Sequence, residues 1–279
     1  MVRLYAKAPV RIDFAGGSTD IYPFTKLGGA VLNAAVNKYV TGIVIKKSDY
    51  TVLKYDAHVP TSSGLGTSGV MNVVWLALAT KFRDKAKLAE LAYDIEKATG
   101  VIGGKQDQYA GAFGGINFLQ FNDDKVAVEQ LKLDKKFIKK LESKLFLYYI
   151  GPRLSSDFNQ KILNNILKND QRTTQILKDI VVNAKNMRKS LLDKDLNSFV
   201  DLLNREWEYR KSLHPNITTP KIERIINLAK KNGARAAKVC GAGGGGTILF
   251  YADNKKNLIK KLGRNVINIK FDFRGLVIK

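Results

Sequence analysis

The chain has 279 residues, 45% of them hydrophobic and 26% charged, which suits one large or two modest globular domains with cores of their own. Its single cysteine, Cys240, excludes an internal disulfide and fits a reducing compartment. With no apolar leader and no run near the ~18 residues of a spanning helix, a cytoplasmic location without membrane contact is expected.

The balance of 47 Lys and Arg against 25 Asp and Glu, a net +22, attracts polyanions, from nucleic acids to nucleotides and phosphorylated metabolites. Lys135, Lys136, Lys139, Lys140 and Lys144 form one basic stretch, and Lys255, Lys256, Lys260 and Lys261 another. Both alternate with Phe137, Ile138 and Leu141, or Leu258, Ile259 and Leu262, as the outer faces of amphipathic helices do. No basic tract is interleaved with aromatics, which argues against nucleic acid.

Residues 3–15 read as a half-buried strand, with Val10, Ile12 and Phe14 alternating with Arg11, Asp13 and Ala15. Gly16-Gly17-Ser18-Thr19-Asp20 breaks it. Asp20 there either caps a surface turn or is offered to a ligand from the strand end. Residues 31–55 read as two or three further strands. The following stretch, Pro60-Thr61-Ser62-Ser63-Gly64-Leu65-Gly66-Thr67-Ser68-Gly69, runs from a glycine-rich turn into an apolar helix over 70–82. Such a turn brings backbone N–H groups and the positive helix end to a phosphate, and Thr67 and Ser68 add hydroxyls for a hard cation. A serine-capped helix start is the alternative.

A second helix is predicted over 85–98, where Glu96 lies beside the small residues Ala89 and Ala92, either partly buried or simply solvated. Residues 100–115 form a glycine-rich segment around Lys105-Gln106-Asp107. It is not a Walker A loop, because residue 99 is Thr and Gln106 stands where Ser or Thr must follow the lysine. Residues 116–121 and 145–150 read as strands. From Asp157 to about Arg210 the pattern is helical without Gly or Pro, and another helix over 221–232 closes at Gly233. The run Gly241-Ala242-Gly243-Gly244-Gly245-Gly246 between apolar strands marks close approach of backbone rather than a linker. A helix around Lys256 and a strand over 266–271 complete a β…α…β…α…β second half.

Taken together, 9–20, 60–69 and 238–247 resemble, in order, the three motifs of the GHMP kinase superfamily. The block 104–115 is similar to one found in its heptose-phosphate kinase branch. The resemblance implies an α+β, two-domain fold: a ribosomal-protein-S5-domain-2-like ATP-binding domain over 1–143 and a ferredoxin-like domain over 144–279. ATP would lie between them. Ser62, Ser63, Gly64, Leu65, Gly66, Thr67 and Ser68 would hold the nucleotide, and Ser68 and Glu96 would hold Mg²⁺. Asp107, eleven residues after Glu96, matches the catalytic base, and Arg11 the basic residue facing it. Arg11, Gly17, Ser18, Asp20, Asp107, Gly243 and Gly244 would meet the substrate. Lys105 and Arg153 are the candidates for a phosphate carried by that substrate.

Three departures matter. Thr67 stands where serine is usual, and Gly69 where alanine is common. Gly17 and Ser18 replace the acid–histidine pair of galactokinase. The chain is also short for a heptose kinase. The resemblance implies an ATP- and Mg²⁺-dependent kinase acting on a hydroxyl, preferably anomeric, of a small-molecule sugar or sugar phosphate such as a heptose 7-phosphate. The alternatives are a mevalonate or other isoprenoid-pathway kinase of the same superfamily and, in a different class, a basic nucleic-acid-binding protein.

Overall fold

The structure, a computed structural model, describes residues 2–60, 62–153 and 158–279. Thr61 of the glycine loop and Asp157, the expected start of the helical tract, lie outside the described residues. Two antiparallel sheets organise the described residues. The first is built on β1 (Val2–Ala15) and the long β2 (Gly29–Lys46). The start of β2 pairs with β4 (Ile116–Asn122) and its end with β3 (Thr51–Ala57); β5 (Lys125–Gln130) flanks β4. Helices α1 (Thr67–Ala79) and α3 (Gln106–Phe113) pack on β1 and β2, and α2 (Lys85–Ala98) packs on both helices.

After α4 (Lys135–Lys144), the second sheet is made of β6 (Leu145–Gly151), β7 (Ala234–Val239), β8 (Gly246–Ala252) and β9 (Val266–Ile267), in the order β7-β8-β6-β9. Helices α5 (Phe158–Leu167), α6 (Gln171–Leu192), α7 (Leu196–Leu213) and α8 (Pro220–Lys231) fill the first crossover, and α9 (Lys255–Leu262) the second. This is the ferredoxin-like arrangement that the resemblance implies.

The helical tract carries no Gly or Pro, yet it breaks twice. Asn169 and Lys194 take left-handed backbones, φ 56° and 60°. Asp170 and Asp195 then cap the next helices, accepting from Thr173 N and from Asn197 N and Ser198 N.

Two expectations are corrected. The strand predicted over 266–271 shrinks to two residues, because the chain leaves the second sheet there. Phe271 bridges to Val36 of β2, Asp272 N donates to Ala35 O at 2.9 Å, and β10 (Val277–Ile278) joins the edge of β1. Nor is the second half of β1 half-buried. From Ala8 to Asp20 every residue is buried, Arg11 and Asp13 included, because α6 and α7 of the second half also lie against β1. Both basic stretches are the outer faces of α4 and α9: Phe137, Leu141, Leu258 and Leu262 point inward while Lys135, Lys136, Lys139, Lys140, Lys256, Lys260 and Lys261 are exposed. Among the described residues no helix is long and apolar enough to cross a membrane.

Candidate active site

A cavity of about 790 Å³ opens where the glycine loop, the strand end after β1, the segment before α3 and the Gly241 loop meet. That volume falls within the range of small-molecule sites. One end of the cavity is the start of α1. The helix is capped by Gly66 in a left-handed conformation, φ 77°, with no side-chain cap and no acidic residue in the first turn. The serine-capped reading is therefore corrected: among the described residues no side chain caps the first N–H groups of α1, which lie at its positive dipole end. The hydroxyls of Ser63 and Thr67 are buried without a hydrogen-bond partner among the described residues. A phosphate oxygen or a metal-bound water would supply what both lack.

Arg11 ties this loop to β1. Its backbone N donates to Leu65 O at 3.0 Å, and its Nη1 donates to Gly64 O at 2.6 Å. Ser62, Ser63, Gly64, Gly66, Thr67 and Ser68 all line the cavity. Leu65 does not; its side chain is wholly buried in the core, so it anchors the loop instead of lining the cavity.

Asp107 lies in the first turn of α3, facing the glycine loop. A Cβ at Gly66 would stand 2.8 Å from the Asp107 carboxyl carbon, so only glycine lets the two elements approach this closely. Arg11 Nη2 reaches Asp107 Oδ1 at 2.7 Å. Burial works against the Arg11 charge, but Asp107 and Asp13 outweigh it and raise its pKa. The start of α3 is fixed from below by Asn33 of β2, whose Nδ2 donates to Gln106 O at 3.3 Å.

Glu96, near the end of α2, accepts from Gln108 Nε2 and is hydrogen-bonded to Ser68. Burial, helped by the Asp107 charge, pushes its pKa up to about 7. Ser68 and Glu96 form a fitting donor set for Mg²⁺, which takes one or two protein oxygens and completes its shell with phosphates and water. Asp20 is buried, with Gln106 N donating to its Oδ2 at 3.2 Å. Burial, then Asp107, raises its pKa to about 6. A Cβ at Gly104 would lie 1.9 Å from the Asp20 carboxyl, so Gly104 makes the room that Asp20 occupies.

Beneath these groups lies a charged floor that the sequence reading missed. Lys238 of β7, fully buried, donates to Asp13 Oδ2 and, at 2.9 Å, to Asp13 O; Gly241 N donates to Asp13 Oδ1 at 2.9 Å. Burial alone would raise the Asp13 pKa, but Lys238 and Arg11 hold it below the ordinary aspartate value. Arg210 of α7 donates from Nη1 to Gly17 O at 2.9 Å and to Ser18 Oγ at 2.6 Å, and from Nη2 to Gly241 O at 3.3 Å. Glu206, one turn earlier, accepts from Gly16 N at 3.0 Å. The second half thus grips the turn that presents Gly17, Ser18 and Asp20, all three of which line the cavity.

Gly243 and Gly244 are placed elsewhere. They pack on Ile217 and Phe158, and Gly241 and Ala242 form the cavity wall in their stead. Lys105 is also occupied elsewhere, donating to Glu90 Oε2 at 2.7 Å and to Asp124 O at 3.0 Å. One signal for the missed floor was available. Phe199, Leu203, Glu206, Arg210 and Leu213 share one helical stripe, so two charged residues fall on an apolar face.

Known proteins resemble this chain in sequence and in fold. The model of the GHMP kinases N terminal domain matches residues 30–115, and that of the GHMP kinases C terminal matches 187–268. The chain is 29% identical to D-glycero-alpha-D-manno-heptose 7-phosphate kinase of Campylobacter jejuni over 94% of each chain. It is 26% identical to a mevalonate kinase of Methanocaldococcus jannaschii, over 78% of this chain and 67% of that one. Its fold matches a D-glycero-D-manno-heptose 1-phosphate kinase from Bacteroides thetaiotaomicron with a TM-score of 0.78 and 24% identity, over 99% and 98% of the two chains. With both family models matched across more than half of its length, the chain belongs to the GHMP kinases, phosphotransferases with an alcohol group as acceptor.

Proposed function

We propose that the protein phosphorylates a hydroxyl, preferably the anomeric one, of a sugar or sugar phosphate such as a heptose 7-phosphate, using ATP and Mg²⁺. The observation that carries this reading is Asp107, paired to Arg11 at 2.7 Å and set against Gly66 at the start of α1. A hydroxyl in the cavity could thus be held by a carboxylate while an anion sits on the helix end. Asp107 accepts the acceptor's proton as general base. Arg11 stabilises negative charge on the attacking oxygen and fixes the phosphate loop through Gly64 O. Gly64, Gly66 and the first N–H groups of α1 cradle the phosphates, with the Ser63 and Thr67 hydroxyls beside them. Ser68 and Glu96 would hold the cation, which would supply positive charge against the phosphates. Asp20, propped by Gly104 and Gln106 N, accepts from sugar hydroxyls. The curated relative named as a heptose 7-phosphate kinase supports the acceptor class.

The mevalonate kinase relative supports a second reading with the same machinery and a different acceptor. A panel of sugars, sugar phosphates and mevalonate, scored by ADP release and product NMR, separates the two. Turnover of mevalonate and of no sugar would overturn the sugar reading.

A further inference from the structure

The cations at the cavity differ in one respect. Arg11 is held by Asp107 and Gly64 O, and Arg210 by Gly17 O, Ser18 and Gly241 O. Arg153 also lines the cavity and is half-buried, yet its guanidinium has no hydrogen-bond partner among the described residues.

Its backbone is closely held. It follows β6, its N donates to Ser62 O at 3.4 Å, and a Cβ at Gly245 would stand only 2.8 Å from its Cα. Arg153 is therefore wedged between the phosphate loop and the glycine run before β8. Burial lowers its pKa; Asp107 pulls it up and Arg11 pushes it down, so this guanidinium shares the cavity with both groups. A desolvated cation beside another cation is unfavourable until an anion arrives. A guanidinium fork matches phosphate oxygens two at a time.

We propose that Arg153 receives a phosphoryl group in this cavity, on the side of the phosphate loop facing the second half of the chain. The phosphoryl group has two sources: the terminal phosphate of ATP, or a phosphate carried by the acceptor. The second source rests on the sugar-phosphate reading above; the first does not.

The test is calorimetry on Arg153→Ala and Arg153→Lys with Mg·ATP, Mg·ADP, heptose 7-phosphate and the unphosphorylated heptose. If the ATP terminus is the partner, Arg153→Ala weakens ATP about tenfold or more and leaves ADP unchanged. If the acceptor phosphate is the partner, heptose 7-phosphate weakens by a similar factor while ATP and the plain heptose do not. Arg153→Lys restores part of either loss. Retained ADP affinity shows that the variants are folded. All ligands binding Arg153→Ala within twofold of wild type would overturn the proposal. Should wild type bind neither sugar, the ATP and ADP pair alone decides it.

Discussion

Protons and a divalent cation should compete for Glu96. Its carboxyl is held near 7, first by burial and then by the Asp107 charge, and the hydrogen bonds from Ser68 and Gln108 only partly offset them. A carboxylic acid with that pKa is about 90% protonated at pH 6 and about 90% ionised at pH 8. Only the ionised form offers a full charge to a hard cation, so Mn²⁺ or Mg²⁺ affinity with nucleotide should rise about tenfold over that range. An ordinary glutamate would change by less than about twofold. The assay is metal titration of the nucleotide complex at pH 6, 7 and 8, by calorimetry or by Mn²⁺ spin resonance. Glu96→Gln serves as the control that subtracts titration of the nucleotide itself. Asp107→Asn should move the midpoint down, because it removes the like charge. Folding raises this pKa, so the stability it confers is present below the unfolded value of 4.5 and is lost as pH climbs to about 7. Wild type should therefore lose stability relative to Glu96→Gln across that window. Identical pH dependence of metal affinity in wild type and Glu96→Gln would refute the reasoning.

Two further substitutions probe the frame of the site. Lys238→Met leaves buried Asp13 with only Arg11 at 3.8 Å and Gly241 N beside it, and should cost about 3–5 kcal/mol in urea unfolding, the penalty for breaking a buried ion pair; a loss below about 1 kcal/mol would show that Arg11 alone suffices. Gly104→Ala puts a methyl into the Asp20 carboxyl, which should raise the acceptor KM roughly tenfold while nucleotide affinity holds, a loss on the scale of one charged hydrogen bond. Equal loss of nucleotide affinity would mean that the loop, not Asp20, had moved.

Much of the candidate site was legible because its residues lie in short local runs. The glycine loop precedes an apolar helix, and Glu96 and Asp107 flank a second glycine-rich segment. What stayed hidden depends on contacts between distant segments. Gly104 gave no sign that its missing Cβ is where Asp20 sits, 84 positions earlier in the chain. Arg210 stood out only as a charge on an apolar helix face, and neither it nor Lys238 had a visible partner until the second half closed over β1. Leu65 sat inside a ligand loop in sequence, yet its apolar side chain is buried in the core while Gly64 and Gly66 on either side line the cavity. Helix α3 is eight residues with a glycine inside, too short for a periodic signal. Strand β10, two residues long, owes its existence to the edge of β1.

The central claim is that a carboxylate on α3 takes the acceptor proton above a phosphate cradle at α1. Acceptor-dependent ADP release by Asp107→Asn, measured beside its Mg·ATP affinity, tests it most directly. Nucleotide binding should be nearly unchanged, with kcat reduced about 10²–10⁴-fold. Turnover within about tenfold of wild type would contradict it.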